Sequence, residues 1–141
     1  MRGTIAMLVL SFGAAANAGD EAARATAWLD LVDAARYTEA WDQAAPALRS
    51  GTDRAAWSER IRRERRSDGK VVCRKLIAVE RSGDPPRVFA LFASEFDDGH
   101  RVGEKVTLSA DAAAVLAYRI GPPAPDRGAP CSTSTTPEPL R

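Results

Sequence analysis

Apolar residues recur at three- and four-residue steps in the first half of the chain and at two-residue steps in the second half. The first spacing is typical of amphipathic helices and the second of strands with one buried face. The predicted helices cover residues 20–36, 38–48 and 53–66. The predicted strands cover residues 70–80, 87–96, 101–110 and 114–120.

Short connections separate the four predicted strands. Asp97-Asp98-Gly99 is typical of a hairpin turn, whereas Asp111-Ala112-Ala113 is a weaker turn signal because it has no glycine. Successive strands with such short links pair antiparallel. We therefore predict an α+β fold, with three N-terminal helices packed on one face of a four-stranded antiparallel meander sheet.

The N-terminus has the pattern of a cleavable leader. Arg2 precedes an apolar run from Ile5 to about Ala16, and Ala16-Asn17-Ala18 has the small-x-small pattern of a signal peptidase site. The run is too short to stay in a membrane as a helix. We predict a signal peptide over 1–18, cut after Ala18, and a periplasmic or secreted protein; an uncleaved amphipathic N-terminus is the alternative.

The remainder of the chain divides into a domain and a tail. Residues 19–121 are predicted to form one α+β domain, which is long enough to bury a core. Residues 122–141 are rich in proline, serine and threonine, which favours a disordered tail.

Charge and residue types exclude several functions. The chain has 20 Lys+Arg and 19 Asp+Glu, and Arg2 would leave with the leader, so the mature protein carries no net formal charge. General nucleic-acid binding needs a basic excess, and we expect none. A single histidine and two distant cysteines make no metal-binding pattern, so we predict no metal and no cofactor. Cys73 is either a buried thiol or one half of a disulfide with Cys131, which an exported protein permits.

Alternation along the predicted strands points one carboxylate inward. Glu104 shares its face with apolar residues of the third strand, and a buried carboxylate needs a partner. Arg74 on the first strand is the expected partner, with Tyr118 and Tyr37 nearby. The pair is either a structural salt bridge or part of a ligand-binding pocket in which Arg74 holds an anionic group.

Three other features favour ordinary interpretations. The arginine run at 60–66 is read as a solvated helix end, with contact to anionic head groups or acidic partners as the alternative, and we expect no membrane contact. His100 lies in a predicted turn without a nucleophile motif, and the three tryptophans are read as core.

The apolar outer face of the sheet predicts a homodimer. Its expected members are Val71, Cys73, Ile77, Val79, Phe89, Leu91, Ala93, Val115 and Ala117.

An ordered set of short segments resembles a bacterial exported family known as domain of unknown function four thousand and nineteen. The segments are Ala27 to Asp33, Tyr37, Trp41, Trp57, the arginine run, Gly69 to Leu76, Glu104 to Leu108 and Tyr118 to Ile120. The resemblance covers about residues 22–120 and implies a cone-shaped fold of the nuclear-transport-factor-2-like or cystatin-like type. It carries no assigned activity. The family tends to have Asp-Gly and a tryptophan where this chain has Asp111-Ala112-Ala113-Ala114, so we expect a looser turn here.

Two functional hypotheses follow. The first is a non-enzymatic exported accessory domain that binds a partner or a small ligand, with Arg74, Glu104, Tyr118 and Tyr37 as candidate binding residues. The alternative, suggested by enzymes among related cone folds, is a small-pocket enzyme with Glu104 as base and Tyr118 as proton donor. A filled interior with Arg74 paired to Glu104 favours the first, and an open pocket that exposes Glu104 and Tyr118 favours the second.

Overall fold

Helices precede a single antiparallel sheet in the chain. A computed structural model describes residues 18–66 and 69–123. Its helices are α1 (Ala18–Asp33), α2 (Tyr37–Asp42), α3 (Pro46–Arg49) and α4 (Arg54–Arg66). Its strands are β1 (Val71–Ser82), β2 (Arg87–Phe96), β3 (Arg101–Ser109) and β4 (Val115–Gly121), in the sheet order β1-β2-β3-β4 with every pair antiparallel. The predicted α+β class and the antiparallel meander are confirmed.

The predicted helix over 38–48 is wrong, because two short helices occupy that stretch. Proline lacks an N–H group and its ring clashes with the carbonyl four residues earlier, so Pro46 cannot continue α2. It instead occupies the first turn of α3, and Ala45 before it is extended. The break has a structural use, since the Ala45 N–H donates to the Val115 carbonyl at 2.8 Å and ties the helical layer to β4.

Tryptophans from three helices meet in the core, as predicted. The ring centroids of Trp28 and Trp57 lie 6.2 Å apart, and those of Trp41 and Trp57 lie 5.7 Å apart. The buried indole N–H of Trp28 donates to the Ala40 carbonyl at 2.9 Å. The aromatic residues pack, together with other apolar side chains of α1 and α4, against the inward face of β2, β3 and β4.

Asp53 caps the start of α4. Its carboxylate accepts the N–H of Ala56 at 2.8 Å. Asp53 therefore satisfies one of the donors left free at the helix N-terminus.

None of the described helices is long and apolar enough to cross a membrane.

Register shifts overturn part of the predicted division into faces. The shift between Leu76 and Ala78 turns Val79 from the outer face, where it was predicted, toward the core. Another shift, in β4 opposite Thr107 and Leu108, does the same for Val115, which is fully buried. One extra residue in a strand reverses the side-chain alternation beyond it.

The β2–β3 and β3–β4 turns behave as their sequences predict. Gly99 closes the β2–β3 turn with a φ of 83°, a conformation that favours glycine. Ala112 has a φ of 56° in the β3–β4 turn, where glycine would be less strained. The Ser109 N–H donates to the Ala114 carbonyl at 2.9 Å, so this turn is longer than a two-residue hairpin.

Ala18 begins α1, whereas residues 1–17 of the predicted leader and 124–141 of the predicted tail lie outside the described residues. The same holds for Cys131, so its bridge to Cys73 stays a prediction. Cys73 itself is not a free cysteine.

Candidate functional site

Six polar side chains from six elements meet where the sheet contacts the ends of α1 and α4. We call them the buried charge cluster. Its members are Asp33 at the end of α1, Arg65 at the end of α4, Arg74 on β1, Ser94 on β2, Glu104 on β3 and Tyr118 on β4.

Glu104 lies at the centre of the buried charge cluster, with its side chain fully buried. Its Oε2 accepts from the Arg74 Nε at 2.9 Å and from the Ser94 hydroxyl. Its Oε1 accepts from the Arg65 Nη1 at 2.7 Å and from the Tyr118 hydroxyl at 2.5 Å. The predicted ion pair between Arg74 and Glu104 is confirmed, and Tyr118 lies beside it as expected.

Asp33 closes the cluster on its outer side. Its Oδ2 accepts from the Arg74 Nη1 at 2.7 Å, and its Oδ1 accepts from the Arg74 Nη2 at 3.1 Å and from Arg65. The Asp33 side chain is 23% exposed, against 10% for Arg74 and 7% for Arg65. Asp33 is therefore more exposed than either arginine that it pairs with.

Sequence reasoning missed Asp33, Arg65 and Ser94 as members. The chain held a signal for Arg65, because it follows Trp57 and Ile61 at four-residue steps and so shares their buried side of α4. Asp33 directly follows the buried Val32 at the helix end, where no spacing rule indicates a partner.

Both arginines of the cluster remain charged. Burial alone would lower the pKa of the Arg74 guanidinium, but the adjacent Asp33 and Glu104 carboxylates outweigh it and raise the pKa. For Arg65, burial also lowers the pKa, and Tyr118, Glu104 and Asp33 together raise it further than burial lowers it. Two cations thus face two carboxylates in a low-dielectric site.

Tyr118 acts as a neutral donor. Burial raises the pKa of its phenol, Glu104 raises it further, and Arg65 partly opposes the rise. A phenol with a raised pKa keeps its proton, which it shares with Glu104 in the hydrogen bond. No side-chain nitrogen or oxygen buried among the described residues lacks a hydrogen-bond partner.

Tyr37 is near the cluster but is not part of it. Its ring lies under the guanidinium of Arg62, with the Arg62 Cζ 5.7 Å from the ring centroid. It lines a cleft of about 170 Å³ that also reaches Asp33 and Arg65. Within the described ranges, no hydrogen bond joins Tyr37 to Arg74 or Glu104. The ligand-binding role of Arg74, Glu104, Tyr118 and Tyr37 stays a prediction.

A separate cavity lies between the helical layer and β4. We call this space of about 890 Å³ the β4 groove. Its lining includes Ala47, Leu48, Trp57, Arg60, Glu64, His100, Arg101, Val102, all of β4 from Leu116 to Gly121, Pro122 and Pro123. Tyr118 lines the groove, whereas Glu104 does not.

The arginine run of α4 divides between these two regions. Arg60 and Arg62 are about half exposed and pair with Glu64 and Glu59 on the helix surface, as a solvated helix end predicts. Arg65 points inward and belongs to the cluster instead. Reading the whole run as solvated was therefore wrong for this one residue.

The fold and the cluster define a small α+β domain whose interior carries a closed ionic network. The chain belongs to the family described as protein of unknown function (DUF4019), whose model matches residues 24–118. No curated protein and no solved structure matches the chain. Among the residues that the structure describes, no three histidine, cysteine, aspartate or glutamate side chains come together to hold a metal ion.

Proposed function

We propose that this protein is an exported, non-catalytic accessory domain that binds a partner in the β4 groove. One observation carries the proposal: the Glu104 carboxylate has no open side, while a large groove of mixed polarity lies open beside it. The buried charge cluster then serves as a structural connection between helices and sheet, and the groove serves as the binding surface.

The acid–base alternative needs Glu104 and Tyr118 on the wall of one pocket. Glu104 is fully buried and each of its oxygens already accepts two hydrogen bonds. A general base must reach the proton that it removes. Glu104 meets a substrate only if one of these four donors moves, and displacing either arginine would leave buried charges unpaired.

The cellular location is part of the proposal and has its own test. A leader over 1–18 would direct the protein to the periplasm or outside the cell, where an accessory domain meets envelope or secreted partners. Intact-mass analysis of protein recovered from the source organism should give a chain that begins at Gly19. A chain that still begins at Met1 contradicts export by cleavage.

The homodimer through the outer sheet face stays a prediction. Phe89, Leu91 and Ala93 on that face are only partly buried, and an apolar face of this kind favours self-association. Light scattering at tens of micromolar should give twice the mass of one chain, and a single-chain mass contradicts the dimer.

The binding role is tested by capture with matched variants. Arg119 and Arg87 are both exposed strand residues, but only Arg119 lines the β4 groove. Full-length protein carrying Arg119→Glu should lose whatever the wild type retains from an envelope extract, while Arg87→Glu should retain it. A reaction on a substrate panel that Glu104→Gln abolishes in folded protein would overturn the proposal.

A further inference from the structure

We infer that the open edge of β4 binds an extended, acidic peptide segment, which would join the sheet as a fifth strand. The inference rests on the proposed function, because it names the partner class that the β4 groove would take. Addition of a strand to a sheet edge supplies main-chain hydrogen bonds, and the groove beside the edge supplies side-chain contacts.

The edge of β4 already accepts a backbone partner at its first residue. The Ala45 N–H donates to the Val115 carbonyl at 2.8 Å, and the Val115 N–H donates to the Gln43 carbonyl at 3.4 Å. Beyond Val115, the described residues give β4 no second neighbour besides β3. Since backbone groups of alternate strand residues point to opposite sides, alternate residues in the rest of β4 present donors and acceptors to the groove.

The two outer strands of the sheet differ in how well they could accept a new strand. β1 contains two register shifts and the exposed charges of Lys75, Glu80 and Arg81, which are common protections of an edge. From Ala117 to Gly121, β4 pairs with β3 residue for residue, and Arg119 is its single charge. The regular edge is therefore the one that faces the groove.

The groove has the shape and polarity for a strand with alternating side chains. Leu48 and Trp57 from the helical layer and Leu116 and Ile120 from β4 supply apolar contacts. The open stretch of β4 is about 20 Å long, which is the length of a typical strand. Every second side chain of a bound segment would meet the apolar lining.

The charge of the groove favours acidic residues at the remaining positions of the bound peptide segment. Arg60, Arg101 and Arg119 line the groove against the single carboxylate of Glu64. Arg60 and Arg101 have surface partners in Glu64 and Glu95, whereas Arg119 forms no ion pair with any described residue. An excess of cations at the groove favours glutamate or aspartate in the partner.

The test uses the full chain and synthetic peptides of about eight residues, long enough to cover the open edge. The main probe alternates glutamate and valine. Its controls replace glutamate with lysine, or carry N-methyl groups on alternate amides and so lose strand pairing. We expect the acidic probe to bind about tenfold more tightly than either control. Hydrogen exchange should slow at amides of residues 117–121 when the acidic probe binds.

Matched variants assign the binding to the groove. Arg119→Glu should weaken binding of the acidic probe about tenfold, because it places a like charge against the peptide. Arg87→Glu changes the net charge equally but lies outside the groove lining, and should leave the affinity unchanged.

Three binding results would overturn the inference: equal binding of acidic and lysine probes, binding without slower hydrogen exchange at residues 117–121, and no binding of any probe. Strong protection of those amides in the free protein would also overturn it, because the chain itself or a second copy would then already cover the edge. If no probe binds but the extract capture still depends on Arg119, the proposed function stands and only the peptide mode fails.

Discussion

Arg65 and Arg62 lie three residues apart on one helix and both pair with carboxylates, yet their surroundings differ completely. Arg62 Nη1 lies 2.5 Å from a Glu59 oxygen, and both side chains are about half exposed. Arg65 Nη1 lies 2.7 Å from a Glu104 oxygen, and both side chains are almost or fully buried. Judged by distance alone, the two ion pairs would contribute equally to stability.

Burial decides how much each pair matters. Water screens the exposed pair, so an interaction of this kind contributes about 0–1 kcal/mol. The buried charges have given up their hydration and depend on each other, so removing one partner costs far more than the net stability that the pair provides. The cluster is thus a requirement that the fold must satisfy, while the surface pairs are dispensable.

The largest effect is expected from Glu104→Gln, which leaves Arg65 and Arg74 with only Asp33 as a carboxylate partner. We expect the free energy of unfolding in urea to fall by about 3–5 kcal/mol. Glu64→Gln removes a carboxylate from an exposed pair and should change the free energy of unfolding by less than about 0.5 kcal/mol. Similar losses of stability for both variants would contradict the claim that burial makes the cluster matter more than the surface ion pairs.

The next effect concerns the hydroxyl of Tyr118, which donates to Glu104. Tyr118→Phe should lower the free energy of unfolding by about 1.5–3 kcal/mol, the usual range for a hydrogen bond to a charged group. Tyr37→Phe is the matched control, because the Tyr37 hydroxyl is not part of the cluster, and should cost less than about 0.5 kcal/mol. A larger loss in the control would contradict the assignment.

A pH titration tests the same hydrogen bond between Tyr118 and Glu104. The pKa of Tyr118 is raised in the folded protein, so its contribution to stability is fully present below the unfolded tyrosine pKa of about 10 and is lost as pH rises above it. The loss should approach about 1.4 kcal/mol per pH unit. The stability difference between wild type and Tyr118→Phe, measured from pH 8 to pH 11, should shrink; a constant difference would contradict the raised pKa.

The smallest effect is expected at the surface. Arg62→Ala should change the free energy of unfolding by less than about 0.5 kcal/mol, and molar salt should remove most of that difference because exposed charges are screened. The effect of Glu104→Gln should persist in the same salt. A salt-sensitive cluster would mean that water reaches it.

The cluster shows how far strand alternation carries a prediction. Period-two spacing indicated that Glu104 points inward, and the cost of a lone buried carboxylate indicated Arg74 as its partner. Both inferences need only short-range rules. The same rules failed for Val79 and Val115, because a register shift has no clear signature in the sequence of one strand.

The sequence by itself determined the order of helices and strands, the antiparallel meander, the family and the need to neutralise Glu104, because those follow from spacing, turn chemistry and the energy of a buried charge. Only the tertiary structure decided that Asp33 and Arg65 complete the cluster and that β4 keeps an open edge beside a groove. Those features depend on how the ends of α1 and α4 meet the sheet. Contacts between residues so distant in the chain are set by packing: the spacing of Arg65 places it on the buried side of α4 but does not indicate which carboxylates it meets.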